Sequence, residues 1–229
     1  IEAERHYENG LRMIMIGHRG HPEVVGTMGQ LPEGAVRLIE TEEDVEAFQP
    51  ADPEALGYVT QTTLSVDDTA GIVAALERKF PSMQAPSSES ICYATTNRQD
   101  AVKAAAPGTD LFLIVGAPNS SNSRRLVEVA ERAGSARGLL VQGMQDVPVD
   151  ELQGGMVLGM SAGASAPEVL TDGILDALRA QFEVRLELVQ TAIENENFPV
   201  MRSIRDVPLT AEDMAFVNGA PRRDDGRAA

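Results

Sequence analysis

The sequence predicts an α/β protein built on mainly parallel sheets, and three observations carry that prediction. One grammar recurs five times in 229 residues: an apolar strand-like run, a loop rich in Gly, Ser, Thr, Asn or His, then an amphipathic helix. The runs at residues 13–16 and 111–115 are continuously apolar, the pattern of strands covered on both faces. All five polar loops follow their strands, so they fall at the carboxyl ends, where open α/β sheets gather ligand groups.

In chain order, the first repeat has a strand over residues 12–17 and the loop His18-Arg19-Gly20-His21-Pro22-Glu23. Pro22 suits the first helical position and leaves Glu23 in the first turn. The second has a strand over 57–60, the loop Gln61-Thr62-Thr63-Leu64-Ser65 and a helix from 66 to about 80, with Ser65 as N-cap and Asp67 and Asp68 in the first turn. The third surrounds Cys92, where a strand-like stretch gives way to a polar helix start. The fourth strand, 110–116, leads into Ala117-Pro118-Asn119-Ser120-Ser121-Asn122-Ser123 and a helix to about 133. The fifth, 156–160, leads into Ser161-Ala162-Gly163-Ala164-Ser165-Ala166-Pro167 and a helix to about 182. Simple strands fit at 36–39, 138–141 and 184–188. Residues 81–89, with two prolines and three serines, mark the expected boundary. The predicted organisation is therefore one α/β unit over 1–85, a second over 86–190 and a C-terminal extension over 191–229, with 222–229 a solvated, poorly ordered tail.

Bulk properties narrow the function. Nineteen basic against 35 acidic side chains give a net charge of −16, which disfavours nonspecific binding to nucleic acid and to anionic membranes. No apolar run approaches the roughly 20 residues of a membrane-spanning helix. A single cysteine excludes an internal disulfide framework and fits a reducing compartment, so a soluble cytoplasmic protein is expected. A phosphate-bearing ligand would have to be held locally, by helix N-termini, hydroxyls, amides and a histidine.

Two constellations could carry chemistry. His18, His21 and Glu23 converge after one strand: a zinc site is one reading, helix capping and dipole compensation another, and an acid beside a phosphate-binding imidazole the third. Gln61-Thr62-Thr63, Asn119-Ser120-Ser121-Asn122-Ser123 and Gly163-Ala164-Ser165 each precede a helix. Capping needs one such residue per helix; clusters this dense suit an anion with many acceptor oxygens, such as a diphosphate. No P-loop and no dinucleotide-binding glycine fingerprint is present, which disfavours ATP and NAD.

Taken together, Ile16-Gly17-His18 with Gly20-His21-Pro22-Glu23-Val24, Gly26-Thr27-Met28-Gly29-Gln30, Thr60-Gln61-Thr62-Thr63-Leu64-Ser65, the run from Ile91-Cys92-Tyr93 to Asn97-Arg98-Gln99, Asn119-Ser120-Ser121-Asn122-Ser123 and Ala162-Gly163-Ala164-Ser165-Ala166-Pro167 closely resemble the 4-hydroxy-3-methylbut-2-enyl diphosphate reductase family of the non-mevalonate isoprenoid pathway. The resemblance implies a trefoil of three α/β units around a cavity that holds a 4Fe–4S cluster on three cysteines, with one iron open to substrate. Cys92 matches the third cluster ligand. Glu23 matches the proton donor, acting through a network that includes Thr62. His21, Thr62, Ser120, Ser121, Asn122 and Ser165 match residues on the substrate and its diphosphate. The implied oxidoreductase reaction removes the 4-hydroxyl with two electrons and two protons, giving isopentenyl and dimethylallyl diphosphates. The implied electron donor is a small ferredoxin or flavodoxin.

One departure qualifies this expectation. The family carries two further cluster cysteines and two further diphosphate-contacting histidines upstream of the point where this chain opens on Ile1, and one thiolate does not hold a cubane cluster. The simplest expectation is a fragment that lacks the first trefoil unit, comprises the second and third, and is inactive alone. The alternative is a non-catalytic binding module for phosphorylated or prenyl diphosphate ligands.

Overall fold

A computed structural model describes residues 2–86 and 91–193 and, beyond them, Met201, Arg205, Val207, Pro208, Thr210, Ala211, Asp213 and Met214. Its first compact unit, Ile1–Ala192, contains two three-stranded sheets, all of whose strand pairs are parallel. The order of elements is α1 (Glu2–Glu8), β1 (Arg12–Ile16), α2 (Pro22–Gly29), β2 (Val36–Ile39), α3 (Glu42–Ala47), β3 (Leu56–Thr60), α4 (Val66–Lys79), α5 (Tyr93–Ala105), β4 (Leu111–Val115), α6 (Ser121–Arg132), β5 (Gly138–Val141), β6 (Leu158–Ala162) and α7 (Glu168–Arg179). The second unit, Ile193–Ala229, is described at few positions; there Thr210 and Asp213 exchange hydrogen bonds that hold the Asp213 carboxyl below its ordinary range.

Both sheets are assembled in the same way. The strand orders are β2-β1-β3 and β5-β4-β6, so β1 and β4 are central and the chain changes direction across each of them. Central strands in this arrangement are covered on both faces. Accordingly Ile14 and Ile16 pack with Ile39, Leu76 and Phe80, while Met13 and Met15 pack with Val24 and Val59 on the opposite side. In β4 the alternation repeats: Phe112 and Ile114 meet Leu126 and Val102, whereas Leu111, Leu113 and Val115 meet Ile174 and Leu178.

The helices start where local chemistry tells them to. Ser65 caps α4 by accepting from the Asp68 N–H at 3.1 Å, with Asp67 and Asp68 in the first turn and Arg78 and Lys79 in the last. α3 opens with a reciprocal box in which Thr41 accepts from the Asp44 N–H at 3.3 Å and Asp44 accepts from the Thr41 N–H at 3.1 Å. Neither α1 nor α3 was expected from the repeating grammar; both are short and follow no polar ligand-type loop.

Three expectations are corrected. Residues 184–188 form no strand and Leu188 is 85 % exposed: their alternating apolar pattern lacks a neighbouring ladder to satisfy its backbone. The fifth strand runs two residues later than expected, so Ser161 and Ala162 pair with Ile114 and Val115 rather than opening the loop. Ile91 and Cys92 end no strand; Cys92 is the N-cap residue of α5, with its N–H donated to the Thr62 carbonyl at 3.3 Å. Part of the expected boundary at 81–89 and the whole tail at 222–229 lie outside the described residues.

Gln99 of α5 ties this helix to the first sheet's loops. It is fully buried, its Oε1 accepts from the Val66 N–H at 3.0 Å and its Nε2 donates to the Leu64 carbonyl at 2.8 Å. Q99L would leave both backbone groups without partners, and the expected cost is about 2–3 kcal/mol in urea unfolding. A parent-like midpoint would show that the latch is dispensable.

Candidate functional site

Strand order places the site. In each sheet the chain leaves the central strand towards one side and later returns on the other, which opens a crevice at the carboxyl ends of β1 and β3 and of β4 and β6. The loop from His18 to Glu23 leaves β1, the Gln61–Thr63 turn leaves β3, the serine run leaves β4 and Ala164 and Ser165 follow β6. These loops share one pocket of about 290 Å³, whose wall includes His21, Thr62, Cys92, Ser120, Asn122 and Ser165, with Ser121 and Thr63 beside them. Each residue that the family resemblance matched to substrate or cluster contacts lines that pocket.

Glu23 stands one hydrogen bond behind it. Its two carboxylate oxygens accept the Thr62 N–H at 3.0 and 3.1 Å, and Oε2 also accepts the Thr62 hydroxyl at 3.0 Å. The carboxylate is therefore fixed on Thr62, which itself faces the pocket. His21 is the N-cap of α2, and its Nδ1 accepts the Glu23 N–H at 3.3 Å. For a neutral imidazole this leaves the proton on Nε2, as a donor.

The serine run supplies the opposite wall. Ser120 caps α6, and its Oγ accepts from the Ser123 N–H at 3.2 Å and from the Ser123 hydroxyl at 3.0 Å. With both lone pairs engaged, the Ser120 proton is left for the pocket. Gly116 and Gly163 let α6 come this close: a Cβ at either would lie 2.2 Å from Ser123 Oγ. Asn122 is 6 % exposed, and neither its amide oxygen nor its amide nitrogen has a hydrogen-bond partner. A buried primary amide with no partner is costly.

Cys92 is exposed at the start of α5 and lines the same pocket. Among the described residues no three His, Cys, Asp or Glu side chains come together as a metal-binding group. The zinc reading of the first loop is thereby set aside: the His18 ring lies 3.1 Å from Arg125 Nη2. A neighbouring hollow of about 460 Å³ is larger but rimmed by Glu40, Glu42, Glu43 and Asp68. Hydrogen bonds from its own backbone and from Thr41 hold the Glu43 carboxyl below its usual range, and Arg125 and His18 share the lining. The pocket with Cys92 has no carboxylate in its wall.

Gln61 was read from sequence only as a member of an anion-suited loop, with no role of its own. It is fully buried, and its side chain reaches His18, Thr63 and Ser121. Its position immediately after an apolar strand was the available signal, but loop membership does not distinguish a buried bridging amide from an exposed one.

Comparison with known proteins places this geometry. The family model described as LytB protein matches residues 1–179. The chain belongs to the LytB family. It is 64 % identical over 219 residues to the 4-hydroxy-3-methylbut-2-enyl diphosphate reductase of Mesorhizobium japonicum, covering 96 % of this chain and 65 % of that protein. It is 62 % identical over 221 residues to the reductase of the same name from Brucella abortus, covering 96 % and 64 %. The solved structure of E-1-hydroxy-2-methyl-but-2-enyl-4-diphosphate reductase from Plasmodium falciparum superposes with a TM-score of 0.77 at 31 % identity, over 95 % of this chain and 65 % of that one. This LytB family member thus spans about two thirds or slightly less of the length of the relatives it matches. No helix among the described residues is long and apolar enough to cross a membrane.

Proposed function

We propose that this LytB family chain supplies the diphosphate-binding and proton-delivering walls of a 4-hydroxy-3-methylbut-2-enyl diphosphate reductase. The overall reaction adds two electrons and two protons to the substrate, releases the 4-hydroxyl as water and yields isopentenyl and dimethylallyl diphosphates. The observation that carries the reading is the convergence of His21, Thr62, Cys92, Ser120, Ser121, Asn122 and Ser165 on one pocket, with Glu23 bonded to Thr62.

Diphosphate oxygens are acceptors, and the pocket wall offers donors: the free Ser120 hydroxyl, the partnerless Asn122 amide and Nε2 of His21, with the N-terminus of α6 adding its positive end. Ser165 stands at the rim. Glu23 is placed to hold a proton for the departing hydroxyl. Thr62 Oγ1, 3.0 Å from Glu23 Oε2, can accept that proton and pass on its own towards the pocket, so the acid acts without entering it.

An iron–sulfur cluster is the cofactor the family reading implies, and this chain does not fit it alone: the sequence has one cysteine, and one thiolate does not retain a cubane. Cys92 serves as one ligand only where further thiolates come from outside these residues. No electron step is assigned to the residues present; small ferredoxin or flavodoxin proteins are the proposed donors. We read the two sheets as two of three trefoil units, divided near residue 86, in a cytoplasmic enzyme. For the 229 residues by themselves, the expected activity is diphosphate binding without redox chemistry.

The test is calorimetric titration of inorganic pyrophosphate into this chain. Saturable binding is expected, weakened about thirtyfold or more in the double variant S120A/S121A, because two hydrogen bonds to a charged group are lost. A parent chain that gives no binding heat contradicts the proposal.

A further inference from the structure

Building on the diphosphate reading, we infer that Gln61 is a positioning residue that sets the hydrogen-bond polarity of the pocket, making Ser121 a donor towards the anion. Gln61 is itself absent from the pocket wall and acts through what it touches. Its Oε1 lies 3.0 Å from the His18 backbone nitrogen. A backbone N–H can only donate, so this end of the amide is the oxygen and the other end, Nε2, is a donor. Nε2 lies 3.0 Å from Thr63 Oγ1 and 3.4 Å from Ser121 Oγ, and both hydroxyl oxygens therefore accept from it. Thr63 in turn donates to Ser121 Oγ at 3.2 Å.

The Ser121 oxygen thus receives two hydrogen bonds, and its own proton is left for the pocket. One fixed backbone N–H on the β1 loop sets the direction of both Gln61 amide bonds, and the Thr63 hydroxyl turned towards Ser121 completes the set. The same amide joins that loop, which continues to His21 and Glu23, to the Thr62 turn and to the first residue of α6. Polarity and spacing of these three walls are set by one buried side chain, and the wall that results favours oxyanions.

Q61E is nearly isosteric and retains an acceptor for His18, but replaces the donor by a second acceptor. The hydroxyls must then turn towards the carboxylate, away from the ligand. Calorimetric titration of inorganic pyrophosphate into the 229-residue chain is expected to show about tenfold or more loss of affinity for Q61E relative to the parent at about pH 8. The deficit, always taken against the parent at the same pH, should narrow to about threefold at about pH 5, where the introduced carboxyl regains a proton and a donor. A merely structural glutamine has no reason to show that recovery. T63V removes the relay from the Thr63 side and is expected to weaken binding about threefold or more, and it decides alone should Q61E not fold. Parent-like affinity in the folded variants, or a Q61E deficit independent of pH, overturns the inference while the diphosphate reading stands. Absence of pyrophosphate binding in the parent overturns both.

Discussion

Glu23→Gln is expected to lower kcat by about a hundredfold or more, with KM within about threefold of the parent, in a chimera where this chain replaces the matching stretch of the Mesorhizobium japonicum reductase. The split between the two constants follows from position. Glu23 is no part of the pocket wall, and its oxygens are engaged by Thr62, so substrate binding does not depend on its charge by direct contact. The amide can still accept the Thr62 N–H and hold the loop, but it has no proton to transfer. Expulsion of hydroxide in place of water then falls on the remaining groups. Steady-state kinetics with a dye-linked reductant decide the matter: turnover near that of the parent chimera removes Glu23 from the mechanism, and a raised KM with unchanged kcat makes it a binding residue.

Asn122→Leu has two effects of opposite sign. Without ligand, the parent keeps an amide oxygen and an amide nitrogen buried with no partner, a standing penalty that leucine abolishes at comparable volume. The variant is expected to be more stable by about 1 kcal/mol in denaturant unfolding. Pyrophosphate affinity is expected to fall about tenfold or more, because the polar group kept waiting for the anion is gone. A variant that loses stability together with affinity would mean that Asn122 serves the fold, and one that gains stability while binding normally would remove it from the site.

Local chemistry explains which parts of this molecule were legible in advance. Ser65 caps its helix through a bond to the N–H three residues on, an interaction contained in a four-residue window. The strands at 36–39 and 138–141 were readable because their apolar runs are short and bounded. Cys92 shows the limit. Ile91-Cys92-Tyr93 reads equally as a strand end or a helix start, and the choice was made by the Thr62 carbonyl that takes the Cys92 N–H. Residues 184–188 show the converse, a strand-like alternation that joins neither sheet.

Residue types, the succession of strand, polar loop and helix, the helix caps and the family resemblance were determined by the sequence alone. The tertiary structure decided which loops meet. Glu23 and Thr62 are 39 residues apart in the chain, and Gln61 and Ser121 are 60 apart. The first pair is brought together because β3 returns beside β1, and the second because the two crevices share one pocket. Strand order is a property of long-range packing, in which each residue's backbone preference is satisfied equally well by several arrangements. The buried amide of Gln61, correct in composition but invisible in role, acquired its function from that packing.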